Sequence, residues 1–205
     1  MPPQVIFRPS NSTMTMADPN TENRITLKKA WQHFNTITKH RHLVRRYCFR
    51  CGLYLQGLTH DLSKYSPTEF LKGARYYQGN QSPNNAERKD SGISLAWLHH
   101  KGRNKHHYEY WTDYIFEEGW SRPAYGPVKM PNRYILEMFC DRVAACQVYH
   151  PDDFTTDLPL LYLTSRNAKN VMHPETVRKL TMLLELYRDK GDDAFDEVRK
   201  ALQNL

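Results

Sequence analysis

Six of the ten histidines in this chain, His40, His60, His99, His100, His106 and His107, fall near predicted helix ends or on an inward helix face. His60 is followed directly by Asp61, and the pair closes an apolar run in the stretch LTHDLSKYSPTEF, Leu58 to Phe70. Imidazole nitrogens and carboxylates suit first-row transition metals, and a carboxylate can bridge two cations. His40, His60, Asp61, one or both of the histidine pairs, and Asp141 therefore make a set able to hold two metal ions. Taken singly, each has a blander explanation. A histidine on an apolar face such as His40 is more often a satisfied core residue, and a buried Asp141 could cap a helix or pair with Arg133. Jointly the balance changes, because a carboxylate in an apolar stripe is costly unless a cation or hydrogen bonds compensate it. Lys64, Arg103 and Lys105 each lie within four residues of a proposed ligand and are candidates for holding phosphate; the alternative is solvated surface charge. Asn104 could cap a helix beginning near Lys105 or touch a substrate.

The elements that must position these groups read as helices nearly throughout, with no sustained period-two alternation. A first helix is expected from about Thr26 to Leu55, broken near Gly52, with His40, Val44, Cys48 and Cys51 on one face and Arg41, Arg45 and Arg46 solvated on the other. Ser66-Pro67-Thr68-Glu69 combines a cap, proline at the first helical position and a capping-box glutamate, so a helix starts at Pro67 and the motif stands outside the chemistry. Gln78 to Asp90 reads as a polar loop, and SGISLAWLHHKG as a helix with Gly102 as its C-cap and His99 and His100 in its final turn. HHYEYWTDYIFEEGW suggests another helix start, and Gly119 to Pro131 a long loop of the kind that borders sites. From Pro131 a helix carries the stripe Tyr134, Met138, Asp141, Ala145 and Val148. A short helix from about Leu158, a strong one in HPETVRKLTMLLELYRDKG ended by Gly191, and a last one from Asp193 to about Leu202 complete the chain.

These 205 residues suit one domain, 25–205, with residues 1–24 a flexible leader rich in Pro, Ser, Thr and Asn. No stretch approaches the roughly eighteen apolar residues needed to span a bilayer, so no membrane partner is expected. With no secretory signal evident, Cys48, Cys51, Cys140 and Cys146 are expected as reduced core thiols in a cytoplasmic protein. Cys48 and Cys51 have CxxC spacing, but no second CxxC completes a zinc site. A net charge of +7 and a pI near 9.2 point to an anionic partner, either nucleic acid or a small phosphorylated molecule.

His40, His60-Asp61, a later histidine and Asp141 follow the order H…HD…H…D, which resembles the HD-domain superfamily of metal-dependent phosphohydrolases. HDLSK is similar to its HDxxK core, and His40 with Val44 fits its first histidine. GLTHDLSKYSPTEF and AWLHHKGRNKHHYEYW resemble more closely an uncharacterised family of small bacterial and phage-type proteins; the resemblance covers roughly residues 26–150. It implies an all-α, HD-like helical bundle around one or two divalent ions (Mn, Mg, Co, Fe or Zn), with Asp61 bridging and Asp141 completing the site. The extra histidines are similar to the five-histidine variants with two metals. This chain places its later histidines in two pairs only six or seven residues apart, and His100 and His107 are the favoured ligands, His106 the next. The implied reaction is hydrolysis of a phosphoester, nucleotides included, with Asp61 and Lys64 in the catalytic machinery. A divalent ion brings the pKa of bound water from 15.7 to about 7.

Two rival classes share these features. A di-iron oxygenase uses the same ligand pattern, and a basic nucleic-acid-binding module with a structural metal would account for the charge and for the aromatics among cations in KGRNKHHYEYW. The second leaves Asp141 unexplained.

Overall fold

The computed structural model describes residues 24–116, 121–165 and 171–203; the expected leader, apart from Arg24, lies outside them. The architecture is all-α, a bundle of helices with one small two-stranded ribbon. Helix α1, Leu27–Arg50, opens where the Thr26 side chain accepts a hydrogen bond from Lys29 N (3.1 Å). It ends just before Gly52, whose φ of +75° only glycine adopts at no steric cost, and α2, Tyr54–Thr59, turns back against it. The break therefore falls where it was expected.

A 3-10 turn, Leu62–Tyr65, leads to α3, Pro67–Arg75, capped by the Ser66 hydroxyl. Next come α4 (Pro83–Ser91) and α5 (Leu95–Lys101), the latter capped by Ser94 accepting from Trp97 N. Helix α6, Asn132–Tyr149, lies along α1, followed by α7 (Leu158–Ser165), α8 (Pro174–Lys190), a 3-10 turn Gly191–Asp193 and α9 (Ala194–Gln203). The core unites both ends of the chain: Val44, Tyr47 and Cys48 of α1 pack with Phe139 and Val143 of α6, Leu183 and Tyr187 of α8, and Phe195 of α9. Tyr47 stacks on Phe195 at 4.1 Å. All four cysteines are buried free thiols, as expected, and burial pushes Cys146 up to about 11.

Three expectations fail. The segment read as a polar loop, Gln78 to Asp90, contains most of α4, a helix without an apolar stripe that is anchored instead by the buried Glu87 carboxylate. Glu87 accepts from Ser94 Oγ (2.6 Å) and Leu95 N (3.2 Å). The aromatic segment after Lys105 does not begin a helix. It forms a 3-10 turn, Tyr108–Tyr110, and strand β1, Thr112–Ile115, paired antiparallel to β2, Ala124–Pro127, within the stretch read as a loop. Strand pairing supplies these backbone groups with partners from outside their own four-residue segment, which local periodicity does not register. Arg41 is not simply solvated: its guanidinium donates to His60 O (2.7 Å) and Leu58 O (3.2 Å), clamping the end of α2 to α1.

Candidate metal centre

The clamp on the His60 carbonyl fixes the turn that presents the His-Asp pair. His60 caps α2 and Asp61 follows with φ +53°, a left-handed conformation that aspartate tolerates better than most residues. Both are almost fully buried. The two Asp61 oxygens face opposite ways. Oδ2 lies 3.4 Å from His60 Nε2 and 3.9 Å from His40 Nε2, while Oδ1 lies 3.2 Å from His100 Nε2 and 3.4 Å from His106 Nε2. Asp141, from α6, closes the first side: its Oδ1 is 3.0 Å from His40 Nε2 and 3.6 Å from His60 Nε2. His107 closes the second, with Nε2 2.8 Å from that of His100.

Two groups of four result, His40–His60–Asp61–Asp141 and Asp61–His100–His106–His107, each offering ligand atoms within 4.8 Å of one another. Asp61 belongs to both. The proposed ligands His40, His60, Asp61, His100, His106, His107 and Asp141 are thus all brought together. His99 is not in either group; it turns aside to Glu69.

Two further carboxylates hold the imidazoles from behind. Glu137, one turn before Asp141, places Oε1 3.0 Å from His60 Nδ1 and 3.1 Å from His106 Nδ1, so it touches one histidine of each group. Glu69 lies 2.6 Å from His99 Nδ1 and 2.7 Å from His100 Nδ1. A carboxylate can only accept, so these contacts hold a proton on Nδ1 and turn Nε2 of His60, His100 and His106 toward the centre. Sequence reasoning missed Glu137, and it confined Glu69 to capping. The signal for Glu137 was present in YILEMFCD, where two carboxylates four residues apart interrupt an otherwise apolar helix.

The donor set fits divalent cations. Nδ1 of His40, Nε2 of His60 and of His106, and Oδ1 of Asp61 are buried without a hydrogen-bond partner among the described residues, whereas Asp61 Oδ2 lies 2.7 Å from Lys64 Nζ and His40 Nε2 3.0 Å from Asp141 Oδ1. Such atoms are rare in a folded interior unless something else satisfies them. Electrostatics agrees: the buried carboxylates of Asp61, Glu69 and Glu137 and the half-buried one of Asp141 face one ammonium, Lys64 Nζ, 2.7 Å from Asp61. Burial alone would lower the His60 pKa, but Asp61, Asp141 and Glu137 outweigh it and raise it to about 10. Burial opposes ionisation of Asp61 and Asp141 too, yet surrounding histidines, and Lys64 beside Asp61, hold both well below the ordinary range. Burial, with His106 and His100 adding to it, keeps His107 neutral. The pocket draws in positive charge.

A cavity of about 550 Å³ opens beside the cluster, with His40, Asp141, His100 and His107 among its lining. Its cationic side chains are Lys64, Arg88 and Arg142. Arg103 and Lys105 are exposed and outside this lining: Arg103 donates to His99 O, and Lys105 lies over the Tyr110 ring. Asn104 is buried and caps no helix at Lys105; its amide donates to Ser63 Oγ (2.9 Å) and His100 O (2.8 Å).

No helix among the described residues is long and apolar enough to cross a membrane. No curated protein and no solved structure matches the chain significantly. One family profile does, over residues 29–186, a span holding every residue of the two ligand groups. That match covers well over half of the chain, and the protein belongs to DUF5662, a family of unknown function.

Proposed function

We propose that this protein is a metal-dependent phosphohydrolase of the HD-like kind, acting on a small phosphoester, nucleotides included, with two divalent ions per chain. The observation that carries the reading is Asp61, itself buried, with one oxygen in each of two four-residue ligand groups, each with three buried members. His40, His60, Asp61 and Asp141 would hold one ion, and Asp61, His100, His106 and His107 the other. Five imidazoles favour Fe, Co or Zn over Mg. Bound there, the ions would supply Lewis acidity toward the phosphoryl group and an activated water.

The chain's own groups account for the remainder. Glu137 and Glu69 fix the imidazole tautomers, and Lys64 stands at the cavity wall where its ammonium can meet a phosphoryl oxygen while balancing Asp61. Arg142 and Arg88 line the same space and would hold the anion. Arg142 Nε is buried with no hydrogen-bond partner among the described residues.

The test is to purify the protein, count bound metal by mass spectrometry, and assay nucleotides and other phosphomonoesters with Mn, Mg, Co and Fe. Two ions per chain and a metal-dependent release of phosphate, both lost in Asp61→Ala, are expected. A wild type that binds none of these metals, or an Asp61→Ala variant that keeps its metal and phosphatase activity, refutes the reading. Bound redox-active iron with oxygen uptake and no phosphate release would replace it with the oxygenase.

A further inference from the structure

The outward side of α1 carries a feature that the metal centre does not use. Residues 24–60 contain eight Lys and Arg and no Asp or Glu, so the chain's whole excess of +7 resides in this segment. Arg50 is paired with Asp196 and Arg41 with backbone carbonyls. Lys28, Lys39, Arg45 and Arg46 are exposed and form no ion pair with a described residue. Aromatic rings stand exposed among them: Trp31 is 65%, Phe34 38%, Phe49 39% and Tyr54 63% accessible.

These groups form a strip. Trp31 stacks on Phe34 at 5.8 Å and 18°, Phe34 meets Tyr65 at 5.7 Å, and the Arg41 guanidinium lies 5.2 Å above the Tyr65 ring. Arg41 reaches on to Leu58 O, and at the far end Phe49 meets Tyr54 at 5.3 Å. Trp31, Thr38, Arg45 and Phe49 follow one another at spacings of seven, seven and four, on the side of α1 opposite His40, Val44 and Cys48. The seam from Trp31 to Phe49 runs about 27 Å along the helix.

We infer that this strip binds single-stranded nucleic acid, with phosphates on Lys28, Lys39, Arg45 and Arg46 and bases stacked on the exposed rings. A segment with cations and no carboxylate of its own, met by a carboxylate only where Asp196 pairs with Arg50, calls for a polyanion, and flat exposed rings call for π faces, which a single strand offers and a duplex conceals. A second copy of this chain docked through the same face would set like charges against each other. An anionic bilayer fits less well, because Arg41 and Arg45 lie between the rings and would be carried into the apolar phase with them. The inference stands independently of the metal chemistry.

The test is fluorescence anisotropy of the full chain with labelled oligo(dT) and oligo(rU) strands of about twenty nucleotides over a salt series. Four phosphate contacts predict a slope of log affinity on log salt of about −3. Trp31→Ala and Tyr54→Ala should each weaken binding about 5-fold or more, as loss of one stacked base would. Arg45→Gln with Arg46→Gln should bring the slope to about −1.5. All four positions are exposed, so melting temperature and metal content should stay at wild-type values. Tighter binding to the corresponding duplex or to vesicles containing phosphatidylserine would overturn the inference. So would strand affinity that these substitutions leave unchanged, or no strand binding at low salt.

Discussion

Among the described residues Asp61 is the sole non-glycine with positive φ, and it is also the residue shared by both ligand groups. A left-handed residue bearing a Cβ costs about 1–2 kcal/mol, which surrounding contacts must offset; here the Arg41 clamp on the preceding carbonyl and the Lys64 ion pair do so. The conformation turns the carboxylate inward with one oxygen on each side. Asparagine also tolerates this backbone but forfeits the Lys64 ion pair, so Asp61→Asn should keep the metal-free fold, with a lowered melting temperature, and lose both ions. Asp141→Asn should lose one. Counting metal per chain separates the two, and an Asp61→Asn protein that still holds one ion would contradict the bridging role. Glu137 and Glu69 differ in the same way. Because Glu137 touches a histidine of each group and Glu69 only one ligand histidine, Glu137→Gln should weaken both ions about 10- to 100-fold, and Glu69→Gln only the one held by His100. Titration against a competing chelator measures this.

At the level of elements, α3 shows how tightly the site's scaffold is built. Gly73 sits mid-helix where a Cβ would come within 2.1 Å of His33 Nε2 on α1. Alanine ordinarily favours a helix over glycine by about 1 kcal/mol, but here it must displace a buried imidazole. Gly73→Ala should therefore destabilise the protein by about 1–3 kcal/mol, read from urea unfolding, rather than stabilise it. The start of α3 was plain in the sequence, since Ser66 and Pro67 act locally. Helix α4 was not, because what anchors it is Glu87 reaching Ser94 and Leu95 beyond its own end, and its sequence lacks an apolar stripe. The ribbon was equally hidden: each strand has only four residues, and each needs the other.

For the molecule as a whole, acid stability should carry the mark of His33. Burial, reinforced by the charge of Lys64, holds its pKa down from 6.5 to about 4. The unfolded chain then binds a proton that the folded one refuses, so the stability this histidine contributes is complete above pH 6.5 and is lost as pH falls toward 4. Wild type should lose more stability than His33→Gln between about pH 7.5 and pH 4.5, measured as urea midpoints; equal losses would assign the effect to other groups. Charge is also distributed unevenly over the whole molecule, with the cations of the acid-free α1 exposed on its outer side and the carboxylates of the cluster facing inward.

Helical periodicity, the Ser66-Pro67 start, the Gly52 break, and the residue types His40, His60-Asp61 and Asp141 were all legible in the sequence alone, because each is expressed within one or two turns of chain. Which histidines converge was decided by tertiary structure. His99 and His100 are neighbours at the end of one helix, yet Glu69 draws His99 aside while His100 reaches Asp61. Glu137 gained its role only when α6 was laid beside α1 and α2, bringing its carboxylate to a histidine 77 residues away. Arg103 and Lys105 are close to ligands in sequence but point to the surface, and Arg88 and Arg142 took their place at the cavity. Sequence distance measures proximity only along an element, whereas a metal centre is made where several elements meet.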